Sequence, residues 1–202
     1  MRKAIKIEVA SLLLITASSC SSSFQLRGSY LNANSKEQIC IRKGESEQTA
    51  SYPITNGNFT IQTSCKQPAP ATLYLLDEHG KAQKEVDFFI EKGELSVDLN
   101  EETPMVKGGR LNKEKVRFEK EVALLYQKFE KEILSLVDQN IGKEEIEEAI
   151  QKEAIQVIDS NVAIIEKYKK RNQKNIFGAE LEQYLFAAQL TKEQLLKELT
   201  PV

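Results

Sequence analysis

The chain has 202 residues, enough for one ordinary domain or two small ones. Charged residues make up 29% and hydrophobic residues 41%, a globular balance, and 28 basic against 30 acidic side chains leave a net charge of −2, without the basic excess of a nucleic-acid binder. One histidine excludes multi-histidine metal sites, and the three cysteines at 20, 40 and 65 contain no CxxC pair.

Arg2, Lys3 and Lys6 open the chain with positive charge, and Val9 to Ala17 is a mostly apolar run. Small residues Ala17, Ser18 and Ser19 follow, and Cys20 comes at once. A basic start, a short apolar run and small residues form a secretory signal, and the run is too short to span a bilayer. The cysteine directly after them resembles the lipobox of bacterial lipoproteins, although Glu8 edges the apolar run and Ala17 stands where leucine is usual. That resemblance implies cleavage before Cys20 and a diacylglycerol on its thiol. Residues 1–19 are therefore expected to be a signal peptide, and residues 20–23 a lipidated tether. Acyl chains attach a protein by about 0.8 kcal/mol per buried CH₂, so two or more hold it durably.

From residue 24 to about 110 the hydrophobic period is two. Phe24 and Leu26, Ile39 and Ile41, Phe59 and Ile61, Leu73 and Leu75, Val86, Phe88 and Ile90, and Leu95, Val97 and Leu99 alternate with more polar neighbours. Such alternation means one buried and one wet face, as in antiparallel sheets. Asn56-Gly57 supplies the positive φ angles of a two-residue hairpin, and Lys43-Gly44, His79-Gly80 and Lys92-Gly93 are similar breaks. Six to eight short strands at this spacing predict an antiparallel β-sandwich over 24–110. Phe59, Ile61, Leu73, Phe88, Phe89 and Ile90 are expected in its core. Since Phe88 and Phe89 are neighbours, one must face the interior and the other the helices or an interface.

After Gly108-Gly109 the period becomes helical. Phe118, Val122, Leu125, Phe129, Ile133 and Leu136 lie on one stripe. Gly142 interrupts, and Ile146, Ile150, Ala154, Val157, Ile164 and Tyr168 repeat the stepping. Phe118, Leu125, Phe129, Val157 and Ile164 are expected between helices. Two shorter helices are predicted next, one over about 176–188 and a last one from Thr191, where Thr191 and Gln194 have capping-box spacing. The class is α+β: a sandwich followed by a helical region of three to four helices over 111–202.

Three stretches carry a resemblance: PITNGNFTIQTSCKQPAPATLYL (53–75), DFFIEKGELSVDL (87–99) and VKGGRLN (106–112). They are similar to the family called domain of unknown function 4369. The matching features are Gly57 and Phe59 in a hairpin, Phe88 to Gly93 in a strand and turn, and Gly108 to Asn112 leading into the helices. The resemblance implies an envelope lipoprotein of Bacteroides type, whose sandwich commonly precedes a helical spacer and a thioredoxin-like domain. Residues 172–200 look like the end of that spacer. In the longer relatives a CxxC-bearing domain would begin about where Pro201 and Val202 close this sequence, so its redox chemistry is not expected to carry over.

Candidate chemical sites are few. Cys40 and Cys65 could pair, but Cys40 is out of phase with Ile39 and Ile41 while Cys65 is in phase with Phe59 and Ile61, which favours two unpaired thiols. His79, in Asp77-Glu78-His79-Gly80, reads as a solvated turn rather than a metal ligand, and no nucleophile elbow accompanies it. Glu144, Glu145, Glu147 and Glu148 start a helix, and Lys167, Lys169, Lys170, Arg171 and Lys174 end it, as the helix dipole favours. The basic group could also bind an anionic partner or lipid headgroups. No catalytic, cofactor-binding or metal residue is assigned, and Cys20 is the lipidation site.

The resulting expectation is a lipoprotein held at the outer membrane and facing the periplasm. Its role is expected to be non-enzymatic: a binding or scaffolding module with no cofactor, an envelope protein as partner, and no nucleic acid. The alternative is an accessory subunit or truncated relative of a periplasmic thiol-disulfide oxidoreductase.

Overall fold

The computed structural model describes residues 23–31, 36–44, 49–138 and 142–199. Cys20 and the signal sequence lie outside the described residues. Among the described residues, eight strands precede three helices. The strands are β1 (Ser23–Ser29), β2 (Gln38–Lys43), β3 (Thr49–Pro53), β4 (Asn58–Ser64), β5 (Ala69–Leu76), β6 (Ala82–Ile90), β7 (Gly93–Asp98) and the two-residue β8 (Lys107–Gly108). The helices are α1 (Leu111–Val137), α2 (Lys143–Asn172) and α3 (Ile176–Leu199).

Two four-stranded sheets form the sandwich. The first has the order β4-β1-β7-β8 and the second β3-β2-β5-β6. Every pairing is antiparallel except β1 with β7, which is parallel. The turn at Lys92-Gly93 is the cause. It carries the chain across the end of the sandwich where β1 starts, so Gly93 lands beside Phe24 and β7 must run in the same direction as β1. The hairpin at Asn56-Gly57 has φ of 50° and 72°, the left-handed pair expected of its sequence.

Period-two alternation fills the interior. Phe24, Leu26, Phe59, Ile61, Leu95 and Val97 come from one sheet, and Ile39, Ile41, Leu73, Leu75, Val86, Phe88 and Ile90 from the other. The rings of Phe24 and Phe88 stack across the layers with centroids 6.1 Å apart. Gly28 faces Phe59 across the β1–β4 ladder, and a Cβ there would lie 1.9 Å from that ring's Cζ. The ring therefore occupies the space a side chain at 28 would need.

Phe89 points the other way. It joins Leu111, Phe118, Ile165, Tyr168, Phe177 and Leu181 in a second core between the outer face of β6 and the helices. Its ring meets Phe177 edge-on at 5.6 Å, and Phe118 meets Phe177 and Tyr168 similarly. The adjacent phenylalanines thus divide between the two cores.

The helices differ from expectation in two ways. No break occurs at Thr191: α3 runs unbroken through it, and the threonine hydroxyl donates to the carbonyl of Ala187 one turn back, 2.9 Å away. A hydroxyl satisfied inside its own helix leaves no cap. The apolar stripe of α1 is also less covered than its spacing implies. Phe118 and Val157 are buried, but Leu125, Phe129 and Ile164 are half-buried, and Leu124, Leu134 and Val137 are exposed. α1 and α3 meet near both N-termini, where Phe118 faces Phe177 and Tyr184, while farther out α1 packs on α2.

Candidate binding groove at the joint of sandwich and helices

The joint is built by one carboxylate. Glu91 follows β6 and is 7% exposed. Its Oε2 accepts from the backbone N–H of Arg110 (2.8 Å) and Leu111 (3.2 Å), and its Oε1 from the backbone N–H of Asn112 (3.1 Å) and from its side-chain amide (2.9 Å). The first N–H groups of a helix have no partner within the helix, and the residue before α1, Arg110, supplies no side-chain cap. Glu91 fills that role from a different element, with its negative charge at the positive end of the helix dipole. Asn112 completes the clasp. Its amide donates to the carbonyl of Phe89 (2.7 Å), and its carbonyl accepts from the N–H of Phe89 (2.9 Å). Gly109, at φ 58°, makes room: a Cβ there would sit 2.0 Å from Glu91 Oε1.

The clasp fixes α1 and α3 beside the outer face of β5 and β6 and leaves a groove of about 350 Å³. Thr72 and Asp87 form one wall, and Glu180, Gln183 and Tyr184 of α3 the other, with Lys115 of α1 at the side. Lys115 has 6% of its side chain exposed, and its ammonium lies 3.1 Å from Glu119 and 3.2 Å from Glu180. Burial disfavours that charge, but the two carboxylates outweigh it and hold Lys115 above the ordinary lysine pKa. The Tyr184 hydroxyl donates to Glu180 at 2.6 Å, and burial together with that bond pushes its pKa up to about 12. Thr72 donates to Asp87 at 2.7 Å. At neutral pH the ammonium and the phenol both keep their protons. The groove offers fixed donors and acceptors.

The residues singled out from sequence fall elsewhere. Cys40 and Cys65 are both free and buried. Cys40 sits on the outer face of β2 with its sulfur 3.1 Å from the Ser51 hydroxyl, whereas Cys65 lies in the sandwich interior near the carbonyl of Ile90. His79 occupies a turn, its side chain 81% exposed, where Asp77 accepts from the N–H of His79 and of Lys81. Among the described residues no group of three or more His, Cys, Asp or Glu is placed to hold a metal ion. Glu144 and Glu145 lie in the first turn of α2, and Lys169, Lys170 and Arg171 in its last. Part of that basic group is engaged: Lys167 pairs with Glu121 at 2.6 Å and Lys169 with Glu182 at 2.5 Å. Among the described residues no helix is long and apolar enough to cross a membrane.

The family described as "Domain of unknown function (DUF4369)" matches residues 24–114. Residues 24–114 form a DUF4369 domain. The match reaches past the last strand into the first turn of α1, so the DUF4369 segment contains the whole clasp, from Phe89 and Glu91 to Asn112. No curated protein matches the chain. Solved structures similar to it include the CBM25-2 module of a beta/alpha-amylase from Paenibacillus polymyxa, 11% identical with a TM-score of 0.32, and the CBM25-1 module of that enzyme, 8% identical with a TM-score of 0.29. Each comparison covers 45% of this chain and 96% of the module.

The groove cluster was missed from sequence, although one signal was there. Leu111, Lys115, Phe118 and Val122 step by helical spacing, so Lys115 occupies a place on the apolar stripe. A charge in such a place needs a partner, and Glu119 one turn on is the visible one.

Proposed function

We propose that this protein is a lipid-anchored component of the cell envelope, acylated at Cys20, with its body in the periplasm at the outer membrane. We propose further that it is a binding module without catalysis of its own, and that the groove between the outer face of β5–β6 and α3 is where it binds. The observation behind the binding role is the groove's polar set: a buried lysine held between two carboxylates, a protonated tyrosine, Thr72 and Asp87 line one concave surface. Clefts of this size with a few fixed polar groups are the usual place for recognition. The anchor rests on the signal pattern that ends at Cys20.

A photo-crosslinking residue at Gln183, in the groove, is compared in cells with one at Lys143, at the far tip of the helices. Adducts are expected from position 183, weakened by Glu180→Gln. Equal yields at both positions would remove the groove from consideration. Replacing residues 1–20 with a cleavable signal that lacks the cysteine tests the anchor. The chain should then move to the soluble fraction, and membrane retention after a salt wash would contradict lipidation.

A further inference from the structure

The end of the sandwich at which β1 starts carries a group of basic residues. Ser23 pairs with Ser64 on one side, and Phe24 pairs with Gly93 on the other. Cys65, just past Ser64, reaches the carbonyl of Ile90, and Glu91 reaches the backbone of Arg110 and Leu111. The β4–β5 connection, the β6–β7 turn and the start of α1 therefore share one end with the start of β1. Lys66, Lys92, Arg110 and Lys113 all lie there, and all four are exposed. Three described acids in the same region are engaged, while Glu45 and Glu47 of the β2–β3 connection lie outside the described residues. Glu91 faces inward onto N–H donors, Glu94 pairs with Arg27, and Glu114 pairs with Arg117. Cys20 is three positions before Ser23 in the sequence, and three residues of chain reach at most about 11 Å.

We infer that this end is a second membrane contact, in which Lys66, Lys92, Arg110 and Lys113 dock on anionic phospholipid headgroups beside the anchor. The inference rests on the proposed acylation of Cys20, which holds these cations near the headgroups. Each cation near an anionic surface strengthens attachment about fivefold, and a polybasic patch is the usual companion of a lipid chain. Opposite charge and the short tether select this occupant. The contact also sets the orientation. Thr72 and Asp87 stand on the outer face of the other sheet, so the groove lies along the side of the sandwich next to this end.

The test uses the lipidated chain on vesicles of phosphatidylcholine, with or without phosphatidylglycerol. A pulse of amine acetylation is read by mass spectrometry. Lys66, Lys92 and Lys113 should be modified several-fold more slowly on the anionic vesicles, and the protection should fade at high salt. Lys143 is the internal control: its side chain is 89% exposed, and it lies at the opposite end of a helix pair about 40 Å long. Lys92→Glu with Lys113→Glu should abolish the protection of Lys66. The mass of the N-terminal peptide reports the acyl chain separately. An acylated chain with equal rates on both vesicles overturns the docking surface and leaves the anchor standing. A chain without acyl mass overturns the anchor and the inference with it.

Discussion

Replacing Glu91 with alanine removes the acceptor for four N–H groups at the start of α1. The Arg110 N–H is half-buried and can turn to water, but the bonds from Leu111 and Asn112 are buried. A buried donor left without a partner costs about 1–3 kcal/mol, so two cost roughly 2–6 kcal/mol. In a chain of this length each kcal/mol lowers Tm by about 2–4 °C, so a fall on the order of 10 °C is expected. Glu91→Gln keeps one oxygen and the volume, and should lose roughly half as much. The control is Glu94→Gln, three residues on. Glu94 pairs with Arg27 in the open, at 72% and 61% side-chain exposure, and its loss should cost within about 0.5 kcal/mol. The assay is urea unfolding, followed by helical circular dichroism and by tyrosine fluorescence. The two signals should fall together in the parent and separate in Glu91→Ala, because the clasp joins the two cores. If Glu91→Ala matches Glu94→Gln in midpoint, the carboxylate does not hold the joint.

Phe89→Ala should cost about 3–5 kcal/mol by emptying the second core, and urea unfolding should reveal this as a lower midpoint. Stability should also fall at high pH: the neutral phenol of Tyr184 is favoured in the fold, so its contribution is full below pH about 10 and is lost as pH rises through about 12. Tyr184→Phe should flatten that slope, and an unchanged slope would remove Tyr184 as its source. Insulin reduction should show no turnover, since Cys40 and Cys65 are buried apart and neither is at a helix start; turnover lost with Cys40→Ser or Cys65→Ser would contradict the non-catalytic reading.

Alternation made the sandwich legible because a half-buried strand repeats every two residues, and Phe88 and Phe89 could be assigned to opposite faces on that basis alone. Partners were harder to read. A pattern gives faces, not neighbours, so the parallel pairing of β1 with β7 was hidden in a sequence full of antiparallel signals. Thr191 and Gln194 have cap spacing, but a threonine hydroxyl also satisfies itself on the carbonyl four residues back, and the local sequence does not distinguish the two. Glu91 was the hardest residue. Beside Lys92-Gly93 it reads as one more charge on a surface turn, and its partners begin 19 positions later. Lys115 carried a signal because its phase was wrong for a charge, whereas Glu180 and Tyr184, 65 and 69 positions away, carried none.

β1 lies inside its sheet, bonded to β4 on one side and β7 on the other. Its partners begin at Asn58 and Gly93. A chain emerging from its N-terminus thus delivers first a strand, ending at Ser29, that stays bare along one edge until β7, Gly93–Asp98, has followed. Loop closure over that distance must precede the contacts that reward it, which slows assembly. Until then Phe24 and Leu26 lack their full cover, and the waiting strand is the stretch most open to pairing with a neighbouring chain. Order of synthesis and order of assembly run against each other: the first strand made is among the last to be enclosed.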